Sequence, residues 1–241
     1  MKTEIISFYS DVDDNTYYSD NAKRLKENCK SLNIPCDIRH LESSNDYRLN
    51  CLKKPKFIRE MLLEKEKPIV WLDVDSVIHQ ELKIFDDKEK ICDVMFGYNM
   101  DANDKQFNVM SPKASPIYIT PKPIVYEFLD FWVQQCELNL STGTKVFDHE
   151  ILLYRVMPIF AKQLKIGVLP KNYVIWPDTE FQLPEHLQPA ITIGVSTTPS
   201  KEKGLREMGM PESAIDCNMN RTGYQTTVKR LYDRGLLKKA K

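Results

Sequence analysis

The sequence lacks the features that mark several common classes of protein. No two of its six cysteines are separated by just two residues, so neither a zinc ribbon nor a redox motif is indicated, and reduced thiols are expected. Lys and Arg number 34, as do Asp and Glu, and this zero net charge argues against a nucleic-acid partner. No apolar run reaches the roughly 18 residues of a transmembrane helix. The first apolar run is short and soon meets Asp11, so it is no signal peptide, and we expect a cytoplasmic protein.

The composition is that of a soluble globular protein. The chain has 241 residues, of which 42% are hydrophobic and 28% are charged, enough for one large domain. Short apolar segments alternate in the first half with segments of helical periodicity. The predicted strands are 4–9, 36–41, 68–73, 92–98, 116–120, 165–170 and 190–195. The predicted helices are 15–33, 54–66, 122–138 and 147–164, the last of them kinked at Pro158.

This alternation predicts an α/β fold with a mostly parallel central sheet flanked by helices. Residues 199–241 are polar and charged, with only weak helical periodicity. We therefore divide the chain into a single α/β domain over 1–198 and a C-terminal helical extension or tail over 199–241. In sheets of this type ligands bind beyond the carboxyl ends of strands, so residues at those ends are the first candidates for a site.

The tripeptide Asp-Val-Asp occurs twice, at 11–13 and at 73–75. Asp11 and Asp13 have the spacing of the first calcium ligands of an EF-hand. The glycine and glutamate that such a loop requires are replaced by Thr16 and Ala22. The first copy is therefore interpreted as a turn and helix cap, because acidic residues are favoured near a helix N-terminus. Contact with a ligand across the end of the first strand is the alternative.

The second copy, Asp73-Val74-Asp75, directly follows the apolar strand "IVWL". Alternation places both carboxylates on the same side, which suits a hard divalent cation that keeps open positions for phosphate oxygens. Two solvated acidic residues in a turn are the structural alternative. The pattern "WLDVDSV" also fits the haloacid-dehalogenase-like phosphatases, where Asp73 would be a nucleophile and Asp75 a general acid–base. Against this alternative, Asp86-Asp87 comes too soon to be the later acidic pair of such enzymes, whose nucleophile normally follows the first strand.

Five segments in order resemble nucleotide-diphospho-sugar transferases of the GT-A type, the glycosyltransferases with a DxD motif. They are "IISFYSD", "YRLNCLKKPKFIREML", "PIVWLDVDSVI", "SPIYITPKPIVYEFLDFW" and "FDHEILLYRVM" followed by "IGVLPKNY". The resemblance covers about 4–176, and the chain is also similar to glycosyltransferase domains of chloroviruses. Sugar-nucleotide pyrophosphorylases can share this fold, but they carry a glycine-rich phosphate loop after the first strand, and "SDVDDN" has no glycine.

The resemblance implies a GT-A fold and a metal-dependent glycosyltransferase of the hexosyltransferase type. The enzyme would move a sugar from a nucleotide-sugar, expected to be UDP-linked, to a hydroxyl of a glycan or glycoside, with Mn²⁺ or Mg²⁺ as cofactor. It would act in the host cytoplasm if the protein is viral. A domain that binds nucleotide-sugar without turnover is a further alternative.

The resemblance also assigns residues of the donor site. Asp75 corresponds to the main metal ligand, and Asp73 to the residue that contacts the ribose and, directly or through water, the metal. The edge of the nucleoside pocket is formed by Phe8, Tyr9, Ser10 and Asp11. Arg48 and Lys54 resemble cations near the diphosphate, which retains negative charge after one divalent ion has bound. Exposed, solvated side chains are the alternative for these two residues.

Asp148 is the first residue of a predicted helix in "VFDHEIL" and is the candidate catalytic base if the reaction inverts the anomeric centre, whereas a retaining reaction needs no such base. A helix cap is the alternative for Asp148, and Glu150 is a second candidate base. Many GT-A enzymes use a histidine late in the chain as a third metal ligand. The last histidine here, His186, precedes the final predicted strand. The segment "GVSTTPSK" occupies the expected place of this ligand, and its polar candidates are Ser196, Thr197 and Thr198. Trp71 and Trp132 are expected in the core. The candidate acceptor contacts are Asp178, Glu180 and Trp176, and packing within the protein is the alternative for Trp176.

Overall fold

The computed structural model describes residues 3–12, 15–87, 92–99, 111–177, 183–220 and 223–237. Six strands form one sheet, in the spatial order β2 (Cys36–His40), β1 (Glu4–Tyr9), β3 (Ile69–Trp71), β6 (Ser111–Ile119), β5 (Val94–Asn99) and β7 (Ile166–Val168). The pairs β1–β2, β1–β3 and β5–β7 are parallel, whereas β6 runs antiparallel to both β3 and β5. All of these strands except β6 run in one direction, which confirms the mostly parallel sheet. A second, two-stranded sheet joins β4 (Val77–Ile78) to β8 (Ile191–Thr192).

Helices connect and cover the strands. Those of the predicted α/β domain are α1 (Tyr17–Ser31), α2 (Tyr47–Leu52), α3 (Lys54–Lys65), α4 (Pro123–Ser141), α5 (Asp148–Ile151) and α6 (Met157–Phe160). A π-helical turn, Leu152–Val156, joins α5 to α6. Pro158 explains that turn, because proline has no N–H to donate to the carbonyl four residues earlier. The predicted irregularity of this helix is confirmed, but it lies in the turn before Pro158.

Successive side chains along the strands belong in turn to two hydrophobic clusters, one on each face of the sheet. Ile6, Trp71, Phe96 and Ile117 pack on one face with α3 and α4, and Ile5, Val70, Met95 and Tyr118 pack on the other with α1. Burial of apolar residues on both faces is what a parallel sheet covered by helices requires. Trp71 and Trp132 belong to the first cluster, as expected. All six cysteines are free.

The segment after residue 198 contains α7 (Pro199–Glu207), α8 (Glu212–Met219) and α9 (Tyr224–Asp233). Leu205 and Ile215, in α7 and α8, pack against Phe147. Leu231 of α9 packs against Ile175. These helices are thus part of the folded body, although the division at residue 198 stays a prediction. In the described parts of the chain, every helix is too short or too polar to cross a membrane.

Candidate functional site

A cavity of about 360 Å³ lies where the carboxyl ends of β1 and β3 meet the start of β6. The antiparallel direction of β6 brings its first residues to this edge, because Trp71 at the end of β3 pairs with Ile117. The cavity has the size of sites that hold small molecules and cofactors. Seven of the residues singled out in the donor site or as the candidate base line it: Phe8, Tyr9, Ser10, Lys54, Asp73, Asp75 and Asp148.

Two predicted donor-site residues lie outside this lining. Oδ1 of Asp11 accepts hydrogen bonds from the backbone N–H groups of Tyr18 (3.1 Å) and Ser19 (2.9 Å), in the first turn of α1. This is the contact that the interpretation of the first Asp-Val-Asp copy as a turn and helix cap predicts. Arg48 is partly buried in α2, and its Nε finds no hydrogen-bond partner among the described residues. Asp13, Asp178 and Glu180 lie outside the residues that the structure describes.

Asp73 is fixed by three neighbours at the end of β3. Its backbone N–H donates to Oγ of Ser115 over 2.9 Å. Its Oδ1 accepts a hydrogen bond of 3.0 Å from Nε1 of Trp71 and lies 3.2 Å from Nζ of Lys54. The side chain is nevertheless 33% exposed, so the carboxylate reaches the cavity while one of its oxygens is held.

Asp75 lies deeper than Asp73. Its Oδ2 accepts a hydrogen bond of 3.2 Å from the hydroxyl of Tyr17. Burial and the negative charge of Asp73 raise the pKa of Asp75 to about 6. No ion pair of the described residues includes Asp75. A buried carboxylate beside a second carboxylate, with no cation paired to it, is an arrangement that a divalent cation would stabilise.

The carboxylates supply only part of a coordination shell. Within the described ranges, no group of three or more His, Cys, Asp or Glu side chains is placed to hold a metal. His186 is exposed and does not line the cavity. A cation held by Asp73 and Asp75 would therefore complete its shell with oxygens of a substrate or of water, as hard cations do when they bind phosphate groups.

Asp148 is the first residue of α5 and is only 3% exposed. It is not the helix cap: Phe147 occupies that position, and its backbone N–H donates to Oε2 of Glu150 over 2.9 Å. Oδ2 of Asp148 lies 3.0 Å from Nζ of Lys54. Burial lowers the pKa of Lys54, but the charges of Asp148 and Asp73 outweigh that effect, and the pKa is raised overall.

Several lining residues were missed in the sequence. Tyr18 shares a hydrogen bond of 2.9 Å with Oγ of Ser196, and its ring stacks on Tyr47 with centroids 6.4 Å apart. Lys201, in the first turn of α7, is buried and donates from Nζ to the carbonyl of Ser196 over 2.8 Å. The sequence signal for α7 was Pro199, a residue favoured in the first turn of a helix. That Lys201 faces this cavity follows only from the fold.

The fold and this site can be compared with known proteins. No protein-family model and no curated protein matches the chain. The crystal structure of a glycosyltransferase involved in the glycosylation of the major capsid of PBCV-1 matches with a TM-score of 0.58 and 12% identity, over 87% of this chain and 100% of that one. The apo-form glycosyltransferase GlyE of Streptococcus pneumoniae TIGR4 matches with a TM-score of 0.50 and 12% identity, over 98% of this chain but only 64% of that one. The chain thus has the α/β fold of these glycosyltransferases, as the resemblance in its sequence predicted.

Proposed function

We propose that the protein is a glycosyltransferase that uses Mn²⁺ or Mg²⁺ to transfer a sugar from a nucleotide-sugar, UDP-linked, to a hydroxyl of a glycan or glycoside. The observation that carries this proposal is the placement of Asp73 and Asp75. Both follow the buried strand β3 and line a cavity that they share with the aromatic end of β1. The likeness of the fold to solved glycosyltransferases supports it independently.

Asp75 and Asp73 would hold the cation. When bound, the cation supplies Lewis-acid stabilisation of the charge that develops on the leaving diphosphate. The nucleoside would lie towards the end of β1, where Phe8, Tyr9 and Ser10 line the cavity. Aromatic side chains offer the flat apolar contact area that a base needs, and Ser10 adds a hydroxyl.

The diphosphate needs a second positive charge besides the metal, because a diphosphate with one divalent ion is still negative. Lys201 meets that need: it lines the cavity, and its charge is felt at Asp75, where it acts to lower the pKa of that carboxyl. It also sits in the first turn of α7, where the helix dipole favours an anion.

The acceptor would enter from the opposite side of the cation. In the sheet, β1 flanks β3 on one side and β6 and β5 lie on the other, so a donor bound between β1 and β3 leaves the β6 side open. Trp176 and Lys113 line that side, with Nζ of Lys113 5.1 Å from the ring centre of Trp176. Aromatic rings stack on the apolar faces of sugars, which is the contact that a glycan acceptor needs.

The test is calorimetry of UDP with and without Mn²⁺, on the wild type and on Asp75→Ala. We expect UDP to bind with Mn²⁺, to bind at least tenfold more weakly without it, and to lose this metal dependence in Asp75→Ala. Asp233→Asn is the matched control, since Asp233 is an exposed carboxylate on α9, and it should bind like the wild type. Equal UDP affinity with and without Mn²⁺ in the wild type would refute the proposal.

Turnover separates the remaining alternatives. A glycosyltransferase releases UDP from a UDP-sugar in proportion to the glycoside formed, and a binding domain without activity releases none. A phosphatase that uses Asp73 as its nucleophile instead releases inorganic phosphate from phosphate esters and needs no sugar acceptor.

A further inference from the structure

The ammonium group of Lys54 is surrounded by oxygen atoms of the protein. Nζ lies 3.2 Å from Oδ1 of Asp73, 3.0 Å from Oδ2 of Asp148 and 3.4 Å from the carbonyl oxygen of Ala114. The ring of Trp71 is 5.5 Å away, measured to its centroid. The lysine side chain is 9% exposed. The positive charge of Lys54 therefore interacts mainly with groups in the wall of the cavity.

These contacts limit what else the ammonium group of Lys54 can bind. A lysine ammonium has three N–H donors, and three protein oxygens already stand within 3.4 Å of it. A phosphate oxygen that approached Lys54 would have to compete with these oxygens for its positive charge. Leaving Asp148 costs most, because that carboxylate is almost fully buried and a buried charge without a partner is strongly destabilising.

Asp148 depends on Lys54 in return. Its Oδ2 is buried and makes no aligned hydrogen bond with any described residue, so the nearby ammonium is what compensates its charge. A general base must direct an oxygen at the proton that it takes up, whereas this oxygen of Asp148 faces Nζ of Lys54 at 3.0 Å. Glu150, the second carboxylate of this turn, already accepts the backbone N–H of Phe147.

Asp73 is held on one oxygen only. Oδ1 receives Nε1 of Trp71 and faces Nζ of Lys54, whereas Oδ2 makes no hydrogen bond or ion pair with the described residues. Lys54 thus helps to set which oxygen of Asp73 is left for a cation. The same ammonium ties that carboxylate to Asp148 at the start of α5, which also lines the cavity.

We propose that Lys54 is a positioning residue that fixes Asp73 and Asp148 together, rather than a ligand of the diphosphate, and that Asp148 is its counterion rather than the catalytic base. This inference rests on the proposed function, since it concerns the same donor site. It assigns the second positive charge on the diphosphate to Lys201 and leaves proton transfer to groups other than Asp148.

A double-mutant cycle tests the inference, with Lys54→Met, Asp148→Asn and the two changes combined. Each variant is measured for UDP affinity with and without Mn²⁺ and for urea unfolding. Lys54→Met should lower the unfolding midpoint, because it leaves Asp148 unpaired, and should weaken UDP binding at least tenfold only when Mn²⁺ is present, because it frees Asp73. The combined variant should recover most of the loss in unfolding midpoint, because it removes the unpaired carboxylate, but not the loss in metal-dependent UDP affinity, because Asp73 stays free. Lys56→Met, an exposed lysine of the same helix, is the matched control and should match the wild type.

Other outcomes would overturn the inference. If Lys54 binds the diphosphate directly, Lys54→Met will weaken UDP binding without Mn²⁺ as strongly as with it. If Asp148 is the base, Asp148→Asn will keep its UDP affinity and lose kcat by about 10²–10⁴-fold, whereas a counterion role limits that loss to less than about tenfold. If the wild type binds no UDP with Mn²⁺, the proposed function fails instead, and the unfolding data still decide whether Lys54 and Asp148 stabilise each other.

Discussion

Gly194 offers a test of the geometry around the carboxylates that are proposed to hold the cation. It lies two residues after β8 and packs directly on Asp75. A Cβ built on Gly194 would stand 2.6 Å from both Cβ and Cγ of Asp75, and closer still to its carbonyl oxygen. Because carbon atoms in contact are normally about 3.5–4.0 Å apart, the two segments would have to separate by about 1 Å in Gly194→Ala.

That separation has a cost in stability and a larger one in function. Inserting a methyl group into a packed region costs about 1–3 kcal/mol, which urea unfolding measures directly. A metal site tolerates displacements of only about 0.2 Å in its ligand distances. We therefore expect the affinity for UDP in the presence of Mn²⁺ to fall by at least tenfold in Gly194→Ala, while the variant still folds.

Gly204→Ala is the matched control. Gly204 lies within α7, and a Cβ there would meet only Cζ of Phe147, at an ordinary 3.6 Å. Alanine is favoured over glycine in a helix, so this change should stabilise the protein by about 0.5–1 kcal/mol. Unchanged stability and unchanged metal-dependent UDP binding in Gly194→Ala would refute the packing of Gly194 on Asp75.

Two further predictions concern other residues. Burial and the charge of Arg24 lower the pKa of His79 to about 4, whereas an unfolded histidine titrates near 6.5, so the unfolded state binds more protons below that pH, and folding stability should fall by about 2–3 kcal/mol between pH 6.5 and 4. His79→Gln should not show this loss, so the difference in unfolding free energy between wild type and variant should change by about 2–3 kcal/mol between pH 6.5 and 4 in urea unfolding. A constant difference would show that His79 does not titrate in this way. Lys201→Met should weaken UDP binding by about tenfold or more and reduce its dependence on salt, as measured by calorimetry at two ionic strengths; an unchanged affinity would show that Lys201 does not face the diphosphate.

The regular part of the fold could be predicted because its signals are local. Apolar strands followed by helical periodicity gave the parallel core, and the rule that ligands bind beyond carboxyl ends of strands singled out Asp73 and Asp75. The start of β6 was missed because Pro112 and Pro116 interrupt it, and proline disfavours a strand interior. α2 was missed as well, although Asp46 provides the signal by accepting a hydrogen bond from the backbone N–H of Leu49.

The partners of the candidate residues could not be predicted, because they come from distant parts of the chain. Lys54 could be recognised as a cation near the site, but its burial between Asp73 and Asp148 depends on how α3, β3 and α5 meet. The two copies of Asp-Val-Asp illustrate the same limit. Their sequences are alike, and the fold makes the side chain of Asp11 a helix cap and aims those of Asp73 and Asp75 at the cavity.

The packing of α7 and α8 determines where this chain can be shortened. Lys201, Leu205, Met210 and Asn218 all line the cavity, and all lie after residue 198. A chain cut at the predicted boundary would keep every residue of the two Asp-Val-Asp copies and still lose one side of the binding site. It would also uncover Phe147, whose apolar partners Leu205 and Ile215 lie in the removed part. Deletion and domain-exchange experiments should therefore treat residues 199–219 as belonging to the site, whatever their sequence periodicity indicates.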